Sequence, residues 1–283
     1  MAHPWSGRAA PYILLAALLA PRTVEAYGFG RNQVNTDNFK WRVAETRHFR
    51  IHYVKANEVL IPRVSRYLEQ AYEKTTGDLR VTIPGKSDFF LYPSHNAFEQ
   101  SNIAPGDEGT GGVTEGFKFR FIVPVTGSDR FLEKVITHEF THVVEFHVLY
   151  GGFWRTVRLF KSVFYPLWMM EGLAEYEAGD EDPATEEMIL RDATLSDRLI
   201  PLDHLHNFGH LQSHQITQAY KQGEHALRFL ADEYGEDAVR EFLFDFREKF
   251  DVNAVLQSVI GRDVFQFDAR WREHLHERYG PQA

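Results

Sequence analysis

Cysteine is absent from all 283 residues. Disulfide stapling is therefore excluded, and any metal held by side chains must rest on histidines and carboxylates. Basic tracts are equally scarce: no run of Lys and Arg exceeds two residues, and the formal net charge is −9. An acidic chain without a basic stripe lacks the electrostatic footprint of a nucleic-acid binder, so no nucleic-acid partner is expected. Internal repeats and low-complexity tracts are also missing. Beyond the first 26 residues no stretch is long and apolar enough to span a bilayer.

What is present begins with a leader. Arg8 supplies positive charge, Tyr12–Ala20 is a short apolar run between Pro11 and Pro21, and Val24-Glu25-Ala26 has the small-residue spacing of a cleavage site. Residues 1–26 are read as a signal peptide cleaved after Ala26, giving an exported protein, periplasmic or extracellular. The alternative is an apolar N-terminal helix. Removal of the leader takes away Arg8, Arg22 and Glu25 and shifts the net charge from −9 to −10. The composition, 43% hydrophobic and 25% charged, is that of a globular protein with enough chain for one large domain or two small lobes around a cleft.

Periodicity divides the remainder in two. Trp41–Val54 alternates and is rich in aromatic and β-branched residues, Asn57–Thr76 has helical spacing up to Gly77, and Leu79–Tyr92 returns to strand character. Pro93–Gly112 reads as a loop and Val113–Val125 as another strand. From Ser128 onward the pattern is helical, over roughly 129–148, 167–178, 184–195, 215–234, 236–249 and 263–279. Strands first and helices afterwards predict an α+β fold. An N-terminal α+β lobe over 27–127 would precede a helical lobe over 128–283.

The first of those helices contains His138-Glu139-Phe140-Thr141-His142. Positions i and i+4 are neighbours on one helical face, so both imidazoles can reach a single ion. Glu139, beside them, can take a proton from a water on that ion. Leu132, Val135, Ile136, Glu139, Val143 and Phe146 share one stripe, so Glu139 interrupts an apolar face and needs a strong partner. The metzincin pattern HExxHxxGxxH would place Gly at 145 and His at 148, but those positions hold Glu145 and Val148, and His147 is one place out of register. The second helix offers Glu171 instead, 29 residues beyond His142, in Pro166-Leu-Trp-Met-Met-Glu171-Gly-Leu-Ala-Glu175-Tyr176. Pro166 suits the first turn of that helix and Gly179 its end.

HEFTH followed by WMMEGLAEY resembles the gluzincin zinc peptidases, which include thermolysin and the aminopeptidase N group. The nearest likeness is to peptidase MA-like domains, shared also by Tyr27–Asn35 and by Glu45–Tyr53. The resemblance implies a thermolysin-like fold with its cleft between the two lobes, and one zinc ion per chain held by His138, His142 and Glu171. It further implies Glu139 as general base in peptide-bond hydrolysis, with a peptide or protein as substrate. Glu175, one turn beyond Glu171, falls where thermolysin-like enzymes place a carboxylate that orients a ligand histidine; a solvated surface Glu is the alternative. Tyr220, in Ala219-Tyr220-Lys221-Gln222-Gly223, resembles the tyrosine that stabilises developing oxyanion charge in the aminopeptidases. Tyr220 also belongs to an apolar stripe with Ile216 and Leu227, which would make it a core residue.

Val113–Val125 resembles the edge strand that holds extended peptides in these families, whereas the sequence around Glu115 departs from the aminopeptidase motif. Gly151–Trp168 combines aromatic residues with Arg155, Arg158 and Lys161, the composition of a membrane-surface contact or, alternatively, of a lid or buried connector under the cleft. His204, His206, His210 and His214 match no single helical face, and Asp180-Glu181-Asp182 reads as a solvated turn. A non-catalytic zinc-containing module for binding or envelope assembly is the rival reading of the whole chain.

Overall fold

The computed structural model describes residues 38–101, 111–115, 118–150, 165–179 and 182–282. The leader, residues 151–164 and Asp180-Glu181 lie outside them. Trp41–Val54 folds as a hairpin and not as one strand: β1 (Arg42–Glu45) runs antiparallel to β2 (Phe49–Tyr53). No Gly or Pro marks this turn. Thr46 makes it, donating its N–H to Phe49 O at 3.0 Å while its Oγ1 accepts from Phe49 N at 3.1 Å.

A 3₁₀ turn (Lys55–Leu60) leads into α1 (Ile61–Asp78), where the sequence pattern predicts continuous helix. The strand expected from Leu79 begins only at Ser87, giving β3 (Ser87–Tyr92). The chain before it bends through left-handed residues at Arg80 (φ 50°) and Gly85 (φ 77°). The expected loop at Pro93–Gly112 contains a short helix, α2 (His95–Glu99), capped by Ser94. Val113–Val125 divides into β4 (Val113–Glu115) and β5 (Arg120–Pro124), paired antiparallel. The sheet order β1-β2-β3-β5-β4, with β3 parallel to both β2 and β5, makes a five-stranded mixed sheet with β4 at one edge.

Seven helices follow among the described residues: α3 (Asp129–Tyr150), α4 (Leu167–Ala178), α5 (Pro183–Leu195), α6 (Ser213–Tyr234), α7 (Glu236–Asp245), α8 (Val252–Ile260) and α9 (Val264–Tyr279). The fold is thus α+β, with the sheet first and a mostly helical remainder. Alternation along the strands sends Phe49, Ile51, Phe89, Leu91, Phe121 and Val123 to one face. There they meet Val64 and Leu68 of α1 and Ile136, Phe140 and Val143 of α3 in the main core. Phe140 stands edge-on to Phe49 with ring centroids 5.3 Å apart, and its truncation to Ala would cost about 3–5 kcal/mol. Trp168, the last residue of the stretch read either as a membrane-surface contact or as a lid or buried connector, is 1% exposed and stacks on Phe242 and Phe267.

α4 lies among the other helices, and its polar side chains reach four of them, among them α6 through Lys221, which donates to Glu175 at 3.2 Å. Glu177 accepts from Lys74 of α1 at 2.7 Å, Glu175 from Lys134 of α3 at 3.0 Å, and Glu236 at the start of α7 accepts from Tyr176 at 2.8 Å. Where α4 crosses α6, Gly172 faces Gly223. A Cβ on Gly172 would lie 2.6 Å from the Gly223 carbonyl carbon, and one on Gly223 only 2.5 Å from Trp168 O. Both positions require glycine for a close approach of two backbones.

Candidate metal centre

α3 starts where Ser128 Oγ accepts from Phe131 N at 3.1 Å. Its apolar stripe lies on the sheet, which turns His138 and His142 toward α4 with side-chain exposures of 13% and 11%. Pro166 at the N-cap and Gly179 (φ 72°) at the end fix α4 over Leu167–Ala178, so that Glu171 faces the two imidazoles. Glu171 Oε2 lies 3.4 Å from His138 Nε2 and 3.4 Å from His142 Nε2. The three potential ligand atoms fall within 4.8 Å of one another, and among the described residues this is the group that converges so.

The other nitrogen of each ring is also held. His138 Nδ1 lies 3.1 Å from Glu175 Oε1, and His142 Nδ1 lies 2.6 Å from Glu145 Oε2. Glu175 is therefore buried beside the site, where its Oε2 also accepts from Lys134 and from Lys221 at 3.2 Å. The electrostatics draw positive charge. Burial would lower both histidines, but Glu171 and Glu175 hold His138 at about 9, and Glu171 and Glu145 raise His142 well above its ordinary value. Burial pushes Glu171 and Glu175 upward, and the imidazoles outweigh it and hold both carboxyls far below the usual range.

This donor set fits a divalent cation. Two imidazole nitrogens and one carboxylate converge, each imidazole is fixed through its second nitrogen, and both rings present Nε2. When Glu139, Glu145, Glu171 and Glu175 are all ionised, Lys134 and Lys221 offset two of the four charges, leaving two for an ion. Glu224, the further partner of Lys221, is matched by Arg228 at 2.7 Å.

The family profile described as the Peptidase MA superfamily matches residues 69–277, about three-quarters of the chain. The chain belongs to the Peptidase MA superfamily. Comparison with curated proteins finds no match. Membership points to a metallopeptidase-like function, and the matched span contains the whole centre.

In this superfamily member the remaining candidates surround a cleft of about 390 Å³ bounded by β4, α3, α4 and α6. Glu139 is 6% exposed and stands under β4. Thr114 Oγ1 lies 2.6 Å from Glu139 Oε2 and 2.9 Å from the Glu139 carbonyl oxygen. Gly112 passes directly over the same side chain, since a Cβ there would sit 2.8 Å from Glu139 Oε1. Burial raises the Glu139 carboxyl against the pull of His138 and His142, and a carboxylate shifted toward neutrality is a better proton acceptor.

Tyr220 lines the cleft, with its ring near-parallel to His138 at 6.4 Å between centroids. Burial, together with the neighbouring Glu171, pushes its phenol well above the ordinary value, so it stays a proton donor. Phe146, Tyr150, Tyr165, Leu167 and Met170 give one end of the cleft an apolar wall. Glu115 does not line it and pairs instead with Lys118 at 2.9 Å and with Arg120. His204, His210 and His214 are exposed, and Asp182 stands at the N-cap of α5.

Gly112, Thr114, Lys134, Glu145 and Lys221 were not singled out by pattern. Thr114 and Gly112 reach Glu139 across elements distant in sequence, which leaves no periodic trace. Glu145 carried a usable signal, a carboxylate three residues beyond a candidate ligand on the same helix.

Proposed function

We propose that the chain is a zinc-dependent peptidase in which His138, His142 and Glu171 hold one zinc ion and Glu139 is the general base. The observation that carries this reading is the convergence of three donors beside a buried carboxylate on the open cleft. Structural zinc is normally closed by four protein ligands and catalytic zinc by three. Zinc bound by these residues supplies a Lewis acid that polarises a carbonyl and acidifies a water.

The chain's own groups do the rest. An extended peptide pairs with the side of β4 that faces no other strand among the described residues. Glu139, aimed by Thr114, takes the proton from the attacking water and returns it to the leaving nitrogen. Tyr220 donates its hydroxyl proton to the carbonyl oxygen as negative charge grows there. In this reading the substrate is a peptide or protein, the cleft resembles that of thermolysin-like enzymes, and the leader exports the mature chain.

Metal analysis joined to peptide-library digestion tests it. About one zinc per chain is expected, lost on His142→Ala or Glu171→Ala. Glu139→Gln should keep zinc and fold yet lose cleavage by about 10²–10⁴-fold. Undiminished zinc in both ligand variants would sink the site. No cleavage by wild-type protein on any library would favour the binding module.

A further inference from the structure

Glu145 has no obvious reason to be a glutamate. Its neighbours on α3, Val143, Val144, Val148 and Leu149, are buried apolar residues, and Glu145 itself is 0% exposed. A carboxylate taken fully out of water is costly unless a charged or hydrogen-bonded partner compensates. Oε2 has one such partner, His142 Nδ1 at 2.6 Å, while Oε1 has no hydrogen-bond partner among the described residues. Packing does not require this side chain, since a methionine fills a similar volume.

The two imidazoles of the centre are treated differently. His138 leans on Glu175, whose charge is shared with Lys134 and Lys221. Glu145 is fully buried and no lysine or arginine reaches it in the described structure. Its hydrogen bond is to one imidazole, from the same helix and one turn away, which makes a short and stiff tether.

We propose that Glu145 is a positioning residue for the metal centre. It holds the proton on His142 Nδ1, fixes the ring with Nε2 toward Glu171 and His138, and strengthens that nitrogen as a donor. The proposal rests on the zinc reading given above. Carboxylate partners of ligand histidines typically contribute about 10–100-fold in metal affinity.

Three proteins decide it: wild type, Glu145→Met and Glu145→Gln. Zinc affinity is measured by competition with a chromophoric chelator, and the metal-free proteins are compared by thermal melting. Glu145→Met should raise the zinc dissociation constant about 10–100-fold. Its metal-free melting temperature should change little and should be matched by that of Glu145→Gln, because the contact to His142 is lost together with the cost of burying a carboxylate whose second oxygen has no partner among the described residues. Glu145→Gln keeps an acceptor for the Nδ1 proton without the charge, so its affinity should fall between the other two. The absorption of the cobalt(II)-loaded protein should change in Glu145→Met and return toward wild type in Glu145→Gln.

A zinc dissociation constant in Glu145→Met equal to that of wild type would overturn the proposal while leaving the three ligands standing. A weaker affinity accompanied by a lower metal-free melting temperature, with no recovery in Glu145→Gln, would overturn it in favour of a structural role. Wild-type protein that takes up no zinc would bring down the metal reading and the positioning role together.

Discussion

The Thr114 hydroxyl on β4 lies 2.6 Å from the Glu139 carboxylate on α3, joining the edge of the sheet to the proposed general base. One side chain thus ties the strand proposed to receive the peptide to the group proposed to move the proton. Thr114→Val removes that hydrogen bond while keeping the shape. Hydrogen bonds to charged groups contribute about 1.5–3 kcal/mol, so kcat should fall by about 10–100-fold. Thr114→Ser should restore most of it. Steady-state kinetics of the two variants beside wild type provide the check, and equal kcat in all three would remove Thr114 from the mechanism.

Tyr220 should act on the transition state more than on substrate binding. Tyr220→Phe is expected to lower kcat by about 10²–10³, the range for a single oxyanion donor, with little change in KM. A purely structural tyrosine would leave turnover intact and shift the melting temperature. Kinetics and a thermal melt on one preparation separate these outcomes.

Gly172 and Gly223 should tolerate no side chain. In each case an added Cβ meets backbone, 2.6 Å and 2.5 Å away, which cannot rotate aside. Gly172→Ala and Gly223→Ala should each cost about 1–3 kcal/mol by overpacking, lowering Tm by several degrees. Because α6 also carries Tyr220, cleavage should weaken even below the melting range. A melting temperature unchanged in both variants would contradict the close crossing.

His225 sets an acid limit on stability. It is 4% exposed, its Nδ1 accepts from Trp271 Nε1 at 3.1 Å, and burial with nearby Arg278 lowers it to about 3. The unfolded chain binds a proton near pH 6.5 that the folded chain refuses, so stability is full above about 6.5 and declines as pH falls toward 3. His225→Gln keeps an acceptor for Trp271 without titrating. Denaturant unfolding from pH 7 to 4 should show a shallower decline in His225→Gln, and identical slopes would remove His225 from the acid response.

The legible parts were those written in one stretch of chain. The bounds of α4 were foreseen because Pro166 and Gly179 punctuate it, and the paired histidines because i and i+4 share a helical face. The hairpin at Thr46 reads as one strand in the sequence because a threonine side chain replaces the glycine that would mark it. α8 leaves little periodicity in its nine residues, although Asp251 caps it and Gly261 (φ 67°) closes it. Thr114 was out of reach because its partner lies 25 residues away on another element.

The anchoring of α4 on four sides bears on how an ion would leave. The backbone that carries Glu171 is held in place, because its helix is fastened to α1 through Glu177, to α3 and α6 through Glu175 and to α7 through Tyr176. Local fraying of the backbone is therefore disfavoured at this proposed ligand, and a release that needs α4 to move waits on undocking of an interior helix, an opening near the high end of the protein's free-energy range. Amide protons of Gly172–Glu177 should accordingly exchange among the slowest in the chain, and ion release should keep pace with them.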